Sequence, residues 1–147
     1  MQSIKLEEYI PLKIIFNEDK EAVEYISYSK NKNSFLEFVV GIKSRLIKRM
    51  VLLLSLEYSE SENELAIGNY EEKNLKLYGG NIECSDFKTT IYSNGVRILL
   101  SNKSSSNYIK MNKVYFGLSV ADEITEICVY NMKSEELNHL KRELELQ

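Results

Sequence analysis

The sequence predicts an α+β fold: a mainly antiparallel sheet or a small β-sandwich, with two or three packed helices. Three observations lead there. Short apolar runs separated by turn residues fill the chain from Met50 to Tyr130. Two segments before that region and one after it carry apolar residues at helical spacing behind N-capping residues. The 147 residues, 44% hydrophobic and 28% charged, suit one domain over 1–147. A chain this long buries about 68–70% of its unfolded surface, enough for a single core.

The elements follow in order. Pro11 suits the start of a strand over Leu12–Phe16, because proline donates no ladder hydrogen bond. Asn17 then caps a helix from about Glu18 to Tyr28, with Glu18 and Asp19 in its first turn; Tyr25, Ile26 and Tyr28 suit a strand as well. After the polar break KNKN (30–33), Ser34-Phe35-Leu36-Glu37 fits a capping box. Phe35, Val39, Ile42 and Leu46 continue it as one helical stripe. Met50–Tyr58 is aliphatic on both faces, as in a covered strand, and the polar tip SESEN leads to Glu64–Ile67 as the second arm of a hairpin. Leu75 and Leu77 alternate before Gly79-Gly80. Phe87–Tyr92 and Val96–Leu100 flank Ser93-Asn94-Gly95, a strong hairpin signal. SNKSSSN (101–107) is a loop, Lys113–Val120 and Ile124–Tyr130 are strands, and Ser134 caps a closing helix with Leu137, Leu140 and Leu144 on its apolar stripe.

Composition narrows the function classes. No apolar run approaches the ~20 residues of a membrane span. The N-terminus places Glu7 and Glu8 where the apolar part of a secretory signal would lie, so no signal and a cytoplasmic location are expected. The net charge of −3 disfavours a dedicated nucleic-acid binder. Cys84 and Cys128 form no CxxC and are too few for a disulfide scaffold or a zinc site, so neither a metal nor a cofactor is expected.

Catalytic signals are sparse. His139 is the only histidine and reads as a surface residue of a charged helix, between Glu136 and Glu143. The cysteines read as small core residues rather than nucleophiles. Glycine-rich phosphate loops, nucleophile elbows and calcium-loop spacing are absent. A non-enzymatic role is expected, with an enzyme of unknown class as the least favoured alternative.

The charge pattern says more. Between Glu57 and Glu72 lie Glu57, Glu60, Glu62, Glu64, Glu71 and Glu72, no basic residue, and the tyrosines Tyr58 and Tyr70. That run reads either as solvated hairpin tips or as an acidic, tyrosine-bearing surface for a basic protein partner. Tyrosine supplies rigid contact area, and complementary charge speeds association.

The stretch from Leu65 to Asn112 resembles a forkhead-associated domain. LAIGN (65–69), NLKLYGG (74–80), Cys84-Ser85-Asp86-Phe87-Lys88 and LLSNKSSSNYIKMN (99–112) carry the likeness. The resemblance implies an eleven-stranded β-sandwich that binds phosphothreonine peptides through loops, here at Asn69, Ser85, Ser104, Ser105 and Asn107. Asn69 stands where the family has arginine, and Lys88 where it has histidine. The whole chain is similar in kind to bacterial immunity proteins of contact-dependent inhibition and related polymorphic toxin systems, which are small, acidic, motif-free and cytoplasmic. That resemblance implies a protein that binds a cognate basic toxin domain, above all a nuclease, and occludes it through Glu57, Tyr58, Glu60, Glu62, Glu64, Tyr70, Glu71 and Glu72. Neither resemblance calls for nucleic acid or a membrane as partner.

Overall fold

Alternation of apolar and polar residues with period two governs most of the chain, and the fold follows from it. In the computed structural model, which describes residues 2–147, thirteen strands form two sheets. One has the spatial order β1 (Ser3–Glu7), β2 (Ile10–Ile15), β5 (Ile47–Ser55), β4 (Ser34–Gly41), β3 (Val23–Lys30), β8 (Ile82–Glu83). The other runs β6 (Tyr58–Glu60), β9 (Lys88–Ile91), β10 (Gly95–Leu99), β13 (Ile124–Tyr130), β12 (Val114–Leu118), β11 (Asn107–Met111), β7 (Tyr70–Glu72). The longer strands pair antiparallel, and the parallel pairings are those of the short edge strands β8, β6 and β7.

The two sheets pack face to face over one core. Leu36, Phe38 and Val40 on β4 and Met50 and Leu52 on β5 meet Val96 and Ile98 on β10, Val114 and Phe116 on β12, and Ile127 and Val129 on β13. Aromatic rings bridge the layers: Phe116 lies 6.2 Å from Phe38 and 6.3 Å from Phe16 between centroids.

The expected α+β class is corrected here. Strand covers 49% of the chain and helix 8%, and α1 (Ser134–Glu145) is the one helix among the described residues. The helix expected over Glu18–Tyr28 does not form. Residues 17–22 make an irregular turn in which Asn17 Oδ1 accepts from Asp19 N and Asp19 Oδ1 accepts from Glu21 N, and Val23–Lys30 is a strand. Asp19, expected with Glu18 in a first helical turn, instead joins Glu21 in holding the buried Lys48, whose ammonium lies 2.6 Å from Asp19 and 3.1 Å from Glu21. The helix expected from Ser34 is β4. Leu36, Phe38 and Val40 alternate into the core, and Ser34 Oγ accepts from the Phe87 amide 53 residues away instead of capping its own segment. Burying three consecutive inward side chains outweighs a local capping signal.

Other boundaries moved. Glu64–Ile67 is not a strand, and Leu75–Leu77 contributes only an isolated bridge, Leu46 to Lys76. The strands LAIGN and NLKLYGG implied by the forkhead-associated likeness therefore do not form. Asn94-Gly95 does turn β9 into β10, through Tyr92 N donating to Gly95 O. Gly95 is required by close approach, since a Cβ there would overlap the Val129 carbonyl oxygen. Helix α1 begins one residue after its cap, Lys133, whose amide donates to Glu136 Oε1. Its Leu137, Leu140 and Leu144 close the side of the sandwich beside β1 and β2.

Candidate functional site

The acidic run is laid across the outer face of the seven-stranded sheet. β6 and β7 are the two opposite edges of that sheet, separated by five strands. Six strand spacings put them roughly 29 Å apart. Glu57, Tyr58 and Glu60 therefore lie on one edge, Tyr70, Glu71 and Glu72 on the other, and Glu62 and Glu64 on the segment between them. The eight residues do not converge on one point.

The connecting segment is pinned to the face it crosses. Ser93 N donates to Asn63 O, Leu65 N to Asn94 Oδ1, and Arg97 Nη2 to Ala66 O at 2.9 Å. Leu65 packs with Tyr115 and Cys128, and Ile67, Tyr92, Tyr108 and Tyr130 pack around them. Outward-facing positions of β7, β11, β12 and β13, with Tyr92 just after β9, thus make a tyrosine surface. Tyr70 from the β7 edge meets Tyr115 edge-on at 5.3 Å, and Tyr115 meets Tyr130 at 6.2 Å. Lys110 Nζ sits 5.3 Å from the Tyr70 ring and 5.8 Å from that of Tyr115, close enough for cation–π attraction.

An ion pair lies beneath this surface. Arg97 Nε is 3.0 Å from Glu126 Oε1, and Ser105 Oγ donates to Glu126 Oε2 at 2.6 Å. Gly117 leaves the room, since a Cβ there would overlap Ser105 Oγ. The Arg97 head also reaches Tyr92, with the ring centroid 5.9 Å away.

The two edges differ electrostatically. At the β7 edge Glu71 faces Lys73 and Glu72 faces Lys110, both at 3.4 Å. At the β6 edge Glu60 faces Lys141 at 3.0 Å and Glu57 is exposed, as are Glu62 and Glu64 on the crossing segment. The Lys141–Glu60 pair sets the last turns of α1 beside this edge, where burial, and then the Glu145 and Glu60 carboxylates, push the Tyr58 hydroxyl pKa up.

The loop set gathers at one end of the sandwich. Ser85 shares a cleft with Ser101 and Lys103, and Ser104 and Ser105 share the adjoining cleft, of about 390 Å³, with Lys88. Asn69 and Asn107 precede Tyr70 and Tyr108, which are register partners, so both asparagines lie at that same end. Ser105 is already committed to Glu126 and Thr125, and Asn107 Oδ1 to Ser106.

The remaining candidates sit in structural roles. His139 is buried rather than on the surface: its Nε2 lies 2.9 Å from Ile10 O, and its Nδ1 accepts from Arg142. Desolvation, reinforced by Asp86, pushes the Cys84 thiol up to about 11. Desolvation pushes buried Cys128 up to about 12. Both shifts work against a thiolate nucleophile at neutral pH. Among the described residues no group of three or more His, Cys, Asp and Glu side chains is arranged to hold a metal ion, and no helix is long and apolar enough to cross a membrane.

Sequence reasoning missed Tyr92, Arg97, Tyr108, Lys110, Tyr115, Glu126 and Tyr130. The available signal was period two: Tyr108-x-Lys110 and Glu126-x-Cys128-x-Tyr130 present one outward row each once the strands are placed. No protein-family model matches the sequence, and no curated protein is significantly similar to it.

Proposed function

We propose that this is a non-enzymatic binding protein of the immunity type, acting in the cytoplasm, which occludes a cognate basic toxin domain with the outer face of its seven-stranded sheet. The observation that carries the reading is the path of the acidic run across that face, with tyrosines beneath and between its two ends. Aromatic residues and arginine at the centre and charge at the rim are the arrangement that binding surfaces favour. Tyr58 and Tyr70 supply contact area. Glu57 and Glu60 at one edge, Glu62 and Glu64 on the crossing segment, and Glu71 and Glu72 at the other edge face the lysines and arginines that a nuclease uses to hold phosphate. The mechanism is steric and electrostatic coverage of those groups.

The test is affinity capture from a lysate of the source at low and moderate salt, with Glu60→Lys, Glu62→Lys and Glu64→Lys combined as the comparison. One basic, stoichiometric, salt-sensitive partner, lost with the triple variant, is expected. Equal capture by the triple variant would refute the assignment of this face. A second reading, a degenerate forkhead-associated-like module, draws on the gathering of Asn69, Ser85, Ser104, Ser105 and Asn107 at one end of the sandwich. It predicts captured phosphoproteins that disappear after phosphatase treatment and with Ser85→Ala and Asn107→Ala.

A further inference from the structure

The two long sides of the sandwich are closed differently. On one side α1 inserts three leucines into the core. On the other, the closure is a strap of backbone, residues 73–86, running beside β3. The strap is tied to the six-stranded sheet alone for most of its length. Leu77 N donates to Arg45 O and Arg45 Nε to Leu77 O, both at 2.9 Å. Ser27 Oγ donates to Asn81 Oδ1, Ile82 pairs with Tyr28, and Cys84 N donates to Ser29 O. Between the strap and the loop ends of the seven-stranded sheet a cleft of about 610 Å³ remains.

Three features of this cleft point to a ligand. Its floor is core: Tyr28, Leu77, Leu118 and Ile124, each less than a tenth exposed, all line it. Its mouth carries apolar side chains that folding leaves in water: Tyr78 at 67% and Ile82 at 37% line it, and Val120, at 92%, lies on the adjoining turn. Its volume falls within the roughly 300–1,000 Å³ of small-molecule sites. The charges around it nearly cancel. Lys76 and Lys103 stand against Glu83, Asp122 and Glu123, with Glu83 already paired to Lys30 and Glu123 to Lys103. The lining therefore selects against a strongly charged ligand, while Ser85 and Ser101 place hydroxyls at the rim for one polar group. The Gly79-Gly80 pair sits in the strap beside Tyr78. Gly79 has φ +100°, a conformation that glycine adopts without strain, and a Cβ at either glycine would meet nothing within 4 Å, so no neighbour packs against that side of the strap.

We infer that the cleft between the strap and the seven-stranded sheet binds an uncharged, mainly apolar small molecule. It is separate from the acidic and tyrosine-bearing face and does not depend on the role given to that face.

Cys84 lines this cleft and is partly exposed, while Cys128 is buried elsewhere, so a thiol reports on occupancy. The experiment titrates the full chain with N-phenyl-1-naphthylamine, a neutral apolar fluorophore, and follows alkylation of Cys84 by N-ethylmaleimide with peptide mass spectrometry. One saturable site per chain is expected, with Cys84 alkylation slowed at least tenfold at saturation. Tyr78→Ala and Ile82→Glu, both at exposed positions, each weaken the fluorophore at least tenfold while the denaturation midpoint stays within the wild-type range. Two variants keep the test decisive should one perturb the fold. Absence of saturable binding overturns the inference. So does binding that leaves Cys84 alkylation unchanged, or that survives both substitutions.

Discussion

Arg97→Met tests how the acidic segment is held on its sheet. The Glu126 side chain is 9% exposed and that of Arg97 24%, so the pair is shielded from solvent on the carboxylate side. Without Arg97, Glu126 keeps Ser105 and Cys128 as donors but loses its counter-charge. Removing one partner of a buried pair costs about 3–5 kcal/mol. The partly exposed guanidinium puts this case near the lower end, at about 3 kcal/mol. A chain of this size shifts by about 2–4 °C per kcal/mol, so the midpoint should fall by about 9 °C. The double variant Arg97→Met/Glu126→Leu removes both charges and should cost less than Arg97→Met alone. Urea denaturation followed by circular dichroism gives both losses, and a thermal scan gives the midpoint. Arg97 also holds Ala66 O, so limited proteolysis of Arg97→Met should show faster cleavage within 61–69 than elsewhere. A loss below about 1 kcal/mol would mean that the pair behaves as an ordinary surface salt bridge and would refute the reasoning.

Other expectations follow from the same geometry. Gly95→Ala should destabilise by about 1–3 kcal/mol, because the added methyl meets the Val129 carbonyl oxygen, which only backbone movement relieves; a neutral result in thermal unfolding would contradict the close approach. Phe116→Ala should cost about 3–5 kcal/mol, since that ring touches both Phe38 and Phe16 and is fully buried; denaturation reads it directly. The backbone and hydroxyl of Ser44, with help from Lys48 and the Lys43 amide, hold Glu21 at about 2, below its ordinary 4.5. A depressed folded-state pKa gives stability that is present above pH 4.5 and is lost as pH falls towards 2. Glu21→Gln should therefore flatten the stability profile across that window, and an unchanged acid limb would contradict the cluster.

The later strands were legible because local signals agreed. For β9, β10, β12 and β13 the period-two pattern, Asn94-Gly95 and the polar loop after Leu100 point the same way, whereas β11, which starts at the last residue of the loop expected over 101–107, was not foreseen. Residues 34–46 carried two periods at once. Phe35, Val39, Ile42 and Leu46 read as helix, while Leu36, Phe38 and Val40 read as strand. Pairing with β3 and β5 decided between them, and a single sequence does not display its partners. The acidic run was visible as chemistry but not as geometry. Nearness in sequence suggested one patch, whereas Tyr58–Glu60 pairs with β9 and Tyr70–Glu72 with β11, which are not neighbours. Arg97 and Glu126, 29 residues apart, meet because β10 lies beside β13.

The most direct test of the binding role is the association rate of the captured partner, measured against ionic strength for wild type and two edge variants. One reverses Glu57 and Glu60 at the β6 edge together with Glu62 just beyond it; the other reverses Glu71 and Glu72. Surface charges are screened within about 8–10 Å at physiological salt, so a rate set by complementary charge falls steeply as salt rises. Wild type should show that fall. Each edge variant should associate more slowly with a shallower salt dependence, the β6 edge more so, because the β7 glutamates are already paired with Lys73 and Lys110. Rates that ignore both salt and the two sets of substitutions would show that the partner binds elsewhere on the molecule.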